Sequence, residues 1–228
     1  MDEPVKRIRR YDASRRREQA RENRARVLSA AGRLLLDKGY VDTSMPEVAR
    51  AAGLSVQTVY KVFSNKAALL KAVFDVSVAG DDEHIPMGQR EVIQGIQAEP
   101  DAAHKITMYI CHLAEGAPRY VPLQVLARDA ARADHAAAHV WAQMRQETLT
   151  AMTYFARDLL ATGQLRDTLT EEDVRDVLWT YHSPELYELL VLERGWPTER
   201  YADFLCDALI NALGPRTATG QAQCRKTL

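Results

Sequence analysis

Two short apolar runs at helical spacing, hinged at one glycine, constrain this chain more than any other feature: AAGLSVQTVYKVF, Ala51 to Phe63. Ala49, Gly53 and Val59 stand four and then six residues apart. They supply a small residue where two helices cross closely, a glycine free to take positive φ, and an apolar anchor for the second helix. That spacing is helix-turn-helix geometry. With Val48, Ala52, Leu54, Val59 and Phe63 turned to a core, Gln57, Thr58, Tyr60 and Lys61 point away from it. Upstream, Ser44 is placed to cap a helix through Ala52, with Pro46 in its first turn and Glu47 reaching back to the cap's N–H. Ser55 caps Val56 to Phe63, and Ser64 or Asn65 caps a fourth helix from Lys66 to about Val78.

The rest of the chain also repeats its apolar residues at three and four rather than at two, so an all-α fold is expected. A first helix is predicted from about Arg16 to Lys38, its stripe Val27, Leu28, Ala31, Leu34 and Leu35, closed by Gly39. Charge divides the chain unevenly. Residues 1–78 hold 16 Lys+Arg against 9 Asp+Glu, net +7, whereas the remainder holds 14 against 22, net −8. The basic part favours a polyanion that the acidic part would repel, so the two parts do different work. Three cysteines at wide spacing form neither a zinc pattern nor a disulfide framework and are expected as reduced thiols, Cys111 and Cys206 in cores. No run is apolar enough to span a membrane and no secretory signal is visible, which points to the cytoplasm.

A helix fits the major groove of B-form DNA; glutamine and threonine can bond base edges or phosphates, while tyrosine and lysine reach backbone oxygens. The run GYVDTSMPEVARAAGLSVQTVYKVFSNKAALL, Gly39 to Leu70, resembles the DNA-binding domain of the TetR family of transcriptional regulators. The matching positions include Gly39, Tyr40, Thr43, Ser44, Val48, Ala49, Ala52, Gly53, Ser55, Thr58, Tyr60, Phe63, Lys66 and Leu69. The resemblance implies that Thr43 and Ser44 contact a phosphate, that Val56 to Lys61 read the groove, and that Lys66 meets the backbone. Lys61, Val62 and Ala67 depart from the family's usual aromatic, histidine and acid. Ahead of this unit, Lys6 to Arg26 carries ten cations among three acids. Residues 1–15 are expected as a flexible basic arm against DNA, with Arg15 at its end and Arg16 at the start of the first helix as further DNA contacts.

Residues 79–214 are expected to form a helical bundle, with a disordered tail over 215–228. Helices are predicted over Ala102–Glu115, Leu123–Arg132 and Asp134–Ala161, broken at Gly116 to Pro122. On the last, Trp141, Met144, Thr148, Met152, Phe155 and Leu159 share a face. The resemblance, with the preference of ligands for cavities between helices, makes Tyr109, His112, Trp141, Met144, Trp179 and His182 candidates to line a small-molecule site. Leu186 and Leu190 belong to one apolar segment, and Tyr201, Phe204, Leu205 and Ala208 to a second stripe. Burying both faces calls for a second copy, and a two-fold dimer is also what a helix-turn-helix needs to meet a palindromic operator.

Catalysis finds little support. His135 and His139 lie at i and i+4 without a third ligand, in an alanine-rich run that reads as solvated surface, and no phosphate loop or nucleophile elbow is visible. No metal or cofactor is expected. The sequence therefore reads as a DNA-binding homodimeric regulator, a repressor released by a small molecule. The alternative is a dimeric DNA-binding factor without such a ligand.

Overall fold

The computed structural model describes residues 5–83 and 85–214, and for residues 5–13 the backbone alone. The expected tail, 215–228, and the side chains of most of the basic arm lie outside the described residues. No strand occurs among the described residues, and none of their helices is long and apolar enough to cross a membrane. The chain divides into two compact units between Val76 and Ser77.

In the first unit α1 runs Val5–Asp42, its helical dihedrals broken at Gly39, where φ is 81°. It begins eleven residues before the expected Arg16, because no proline or glycine interrupts the Arg-, Glu- and Ala-rich run and the helical ladder continues. Val27, Leu28, Ala31 and Leu35 are buried as its stripe, with Leu34 at the margin. Helix α2, Met45–Ala52, starts at Ser44, whose hydroxyl accepts from Glu47 N at 3.3 Å. The carboxylate of Glu47 does not complete the expected capping box. Lys38 of α1 takes it instead, because a full charge attracts it more strongly than a backbone N–H. Helix α3, Val56–Val62, starts at Ser55, and α4, Lys66–Ala79, starts at Asn65, whose amide oxygen accepts from Ala68 N at 2.8 Å.

The second unit begins with a short 3₁₀ turn over Met87–Gln89 and continues through α5 (Glu91–Ala98), α6 (Ala102–Ala130), α7 (His135–Leu160), α8 (Glu171–Tyr181) and α9 (Pro184–Tyr187). A π turn follows α9 over Glu188–Glu193, and α10 runs Thr198–Leu213. Helix α7 packs against α6 and α8, and α6 also packs against α10. Lys105 of α6 is buried and donates to Asp158 of α7 at 2.8 Å and to the carbonyl of Gln97 at 3.0 Å, pinning three consecutive segments at one point.

Three expectations are corrected here. Helix α6 does not break at Gly116 to Pro122; it passes through Pro118 and Pro122 as one 29-residue helix. Each proline removes one helical N–H, but the buried Ala114, Ala117, Tyr120 and Val121 on the packed face outweigh that loss. Cys206 is a free, buried thiol as expected, whereas Cys111 is half-buried rather than in the core. Tyr201 and Leu205 are fully enclosed within one chain, Tyr201 edge-on to Tyr187 at 5.3 Å, so neither is available to a partner. Phe204 remains exposed, Leu186, Leu190 and Ala208 half-buried, and exposed Leu189 and Leu192 join them.

Gly53 makes the α2–α3 turn with φ 64°, and a Cβ there would lie 2.7 Å from Arg26 Nη2. Left-handed strain and loss of the Arg26 bond outweigh the stiffening of the unfolded chain, so Gly53→Ala is expected to destabilise the protein by about 1–2 kcal/mol, read as a lower urea midpoint.

Candidate nucleic-acid interface and bundle cavity

The geometry of the first unit follows from how its turn is tied. Leu54 N donates to Ala49 O at 2.9 Å and Gly53 N to Arg50 O at 3.1 Å, the bond pair that closes a helix through a left-handed glycine. Arg26 of α1 donates to the Gly53 carbonyl at 3.2 Å, and Arg24 lies 5.1 Å over the ring of Phe63, just past α3. Val59 is wholly buried and anchors α3 from beneath. The outer side is left to Val56, Gln57, Tyr60 and Lys61, all exposed, with Tyr60 at 49%. Thr58 is half-buried: its N–H bonds Ser55 Oγ at 3.1 Å and its hydroxyl shares a 2.8 Å bond with the same atom.

Two expected phosphate-contacting groups serve the fold instead. Thr43 is 2% exposed and its hydroxyl bonds the carbonyls of Gly39 at 2.8 Å and Leu34 at 3.1 Å, satisfying the frayed end of α1. Its side chain is therefore withdrawn from solvent, while Ser44 beside it stays exposed. Lys66 is half-buried, with Nζ 2.5 Å from Tyr40 O, 3.3 Å from Val41 O and 4.2 Å over the Tyr40 ring. Arg15 and Arg16 lie exposed on α1.

The second unit contains a cavity of about 250 Å³ between α6, α7 and the α8–α9 corner. Trp141, Met144, Trp179 and His182 line it, as expected; Tyr109 and His112 do not. Tyr109 stands behind the cavity, its hydroxyl 2.8 Å from His182 Nδ1 and 3.7 Å from Met152 Sδ. Burial holds the Tyr109 phenol above its ordinary range and so protonated. The same burial pushes His182 down to about 4, leaving it neutral near pH 7.

Gln124, Arg145 and Glu185 also line the cavity, beyond the residues the sequence singles out. Their signals are faint. Arg145 lies four residues after Trp141 on the same helical stripe, and Gln124 is one polar residue in the apolar run VPLQVLA.

Residues 27–73 match the family described as bacterial regulatory proteins, tetR family. Over 61 residues the chain is 36% identical to the HTH-type transcriptional regulator TtgR of Pseudomonas putida; the match covers 27% of this chain and 29% of TtgR. Among solved structures, NalD, the secondary repressor of the MexAB-OprM multidrug efflux pump in Pseudomonas aeruginosa, aligns with a TM-score of 0.68 at 16% identity, over 88% of this chain and 100% of that one. The transcriptional regulator FadR from Bacillus subtilis, in complex with stearoyl-CoA, aligns with a TM-score of 0.66 at 15% identity, over 82% and 98% respectively. At these identities the structural likeness shows a shared fold.

His182 binds fewer protons folded than unfolded between its ordinary 6.5 and about 4, so its contribution is complete above about pH 6.5 and declines as the pH falls through that window. His182→Gln is expected to flatten the fall in urea midpoint between about pH 7 and about pH 4; an unchanged fall would remove His182 from the titration.

Proposed function

We propose that this chain, a member of the tetR family of bacterial regulatory proteins by its residues 27–73, is a homodimeric repressor that grips a palindromic operator and lets go when a small molecule enters its helical bundle. The observation that carries the DNA-binding part is the outer side of α3. Gln57, Tyr60 and Lys61 project from a helix whose other side is fixed by Val59, and whose approach is fixed by the tied turn at Gly53. Gln57 is assigned to a base edge, Tyr60 and Lys61 to phosphates, and exposed Ser44 to a phosphate at the start of α2.

Arg15 and Arg16 extend the basic footprint along α1. Two copies are brought together through the half-buried and exposed apolar groups of the closing helices, Leu186, Leu189, Leu190, Leu192 and Phe204. Release requires the ligand to prefer the spacing of the two reading helices that does not fit the operator, since equal affinity for both spacings would shift nothing. Helix α4 is the element through which the chain passes from one unit to the other, and it is the natural lever. The role is regulatory and no reaction is assigned; the cytoplasm, where the operator is, is its place of action.

A duplex selected from random sequence by the full chain should shift at low salt as a dimer complex and outcompete bulk DNA. Gln57→Ala is expected to weaken it by about 5- to 150-fold, corresponding to about 1–3 kcal/mol, and to relax preference at one position in each half-site. Lys61→Ala should weaken all duplexes alike and lower the salt slope by about 1. Selection that returns no consensus, or a chain that remains monomeric on DNA, would sink the reading.

A further inference from the structure

The cavity's chemistry is lopsided in a way that specifies a ligand. Gln124 is 4% exposed and its Oε1 has no hydrogen-bond partner among the described residues. A buried acceptor left unpaired is costly, so a donor in the cavity toward which the Gln124 amide turns relieves it. The threonines add acceptors of the same kind. Thr148 gives its hydroxyl proton to Met144 O at 3.0 Å and Thr180 gives its own to Asp176 O at 2.7 Å, so both turn only lone pairs to an incoming group.

The charged groups separate just as clearly. Arg145 is exposed, lies 4.7 Å over the Trp179 ring and 6.0 Å from that of Trp141, and pairs with no carboxylate among the described residues. A guanidinium held over an indole still has N–H groups to give to a planar anion. Glu185, the acid of the lining, is already engaged by Ser183 and by Arg128 at 3.4 Å. Two indoles and the Met144 thioether offer flat, polarisable surface. About 250 Å³ is roughly eight waters' share of liquid volume, room for one or two fused rings.

We propose that this cavity takes a planar aromatic carboxylate of one or two rings bearing a ring N–H or O–H: the ring lies against Trp141 and Trp179, the carboxylate meets Arg145, and the donor satisfies Gln124 Oε1. This rests on reading the second unit as a ligand-binding domain and narrows that reading to a chemical class. An organic ammonium is disfavoured because it would meet Arg145, and a plain hydrocarbon because it would leave Gln124 unpaired.

The test is calorimetric titration of the full chain, without DNA, against three probes of similar size: indole-3-acetate, 1-methylindole-3-acetate and tryptamine. Indole-3-acetate should bind about fivefold or more tighter than its N-methyl analogue, and about tenfold or more tighter than tryptamine. Arg145→Gln, at an exposed position, should erase the preference over tryptamine while retaining the N–H preference. Gln124→Leu should erase the N–H preference while 1-methylindole-3-acetate binds as before, which also shows that the variant is folded. Equal binding of the methylated and unmethylated acids, tryptamine binding as tightly as the acetate, or no binding by any probe overturns the assignment. An operator shift by the same preparation keeps the DNA-binding reading standing in each of those cases, and its absence identifies a failure of that reading instead.

Discussion

The α2–α3 turn at Gly53 is the constraint on which the first unit depends. Its left-handed backbone lets Leu54 and Gly53 bond back onto the end of α2, and the missing Cβ leaves room for Arg26 to reach the Gly53 carbonyl from α1. The angle between α2 and α3 is therefore set by backbone bonds and one guanidinium, not by side-chain packing alone. Around it the remaining polar groups do structural service: Thr43 and Lys66 satisfy the end of α1, and Lys38 ties Glu47 of α2 to α1. Exposed chemistry is left to a short outer strip of α3.

The bundle meets the opposite problem, since a cavity removes contacts that a packed interior would have. Its surroundings are correspondingly braced. Lys105 ties α6 to α7 and to the end of α5, Arg128 ties α6 to Glu188 at 2.7 Å, and Gln164 accepts from Ala102 N at 2.9 Å. The α8–α9 corner is closed by the Tyr109–His182 bond, by Pro184 and by the same Arg128, which also reaches Glu185 of α9.

Legibility in the sequence depends on how local each feature is. Caps, the Gly53 turn and the α1 stripe rest on residues within a turn or two of one another, and are readable from spacing. The exposed α3 strip is readable too, because burying Val59 leaves few alternatives for its neighbours. Four of the six expected cavity residues line the cavity, because an amphipathic stripe locates a face without locating the gap beside it. The features that escape are non-local: Thr43 turning inward onto Leu34 O, Glu47 preferring Lys38 to its own helix, and prolines held inside α6 by distant packing. Tyr201 and Leu205 show the same limit, since an apolar stripe does not say whether its own chain or another will cover it.

The π turn over Glu188–Glu193 carries a consequence for how this region could have arisen. Five-apart bonding holds one residue more than an α-helical path of equal advance, so it corresponds to a single insertion absorbed without breaking the helix. In an unbroken α-helix one inserted residue would rotate the downstream segment by about 100°, whereas taken up as a π turn it leaves the flanking faces where they were. The apolar flank that the subunit offers to a neighbour thereby keeps its orientation, with the upstream bundle left as it was.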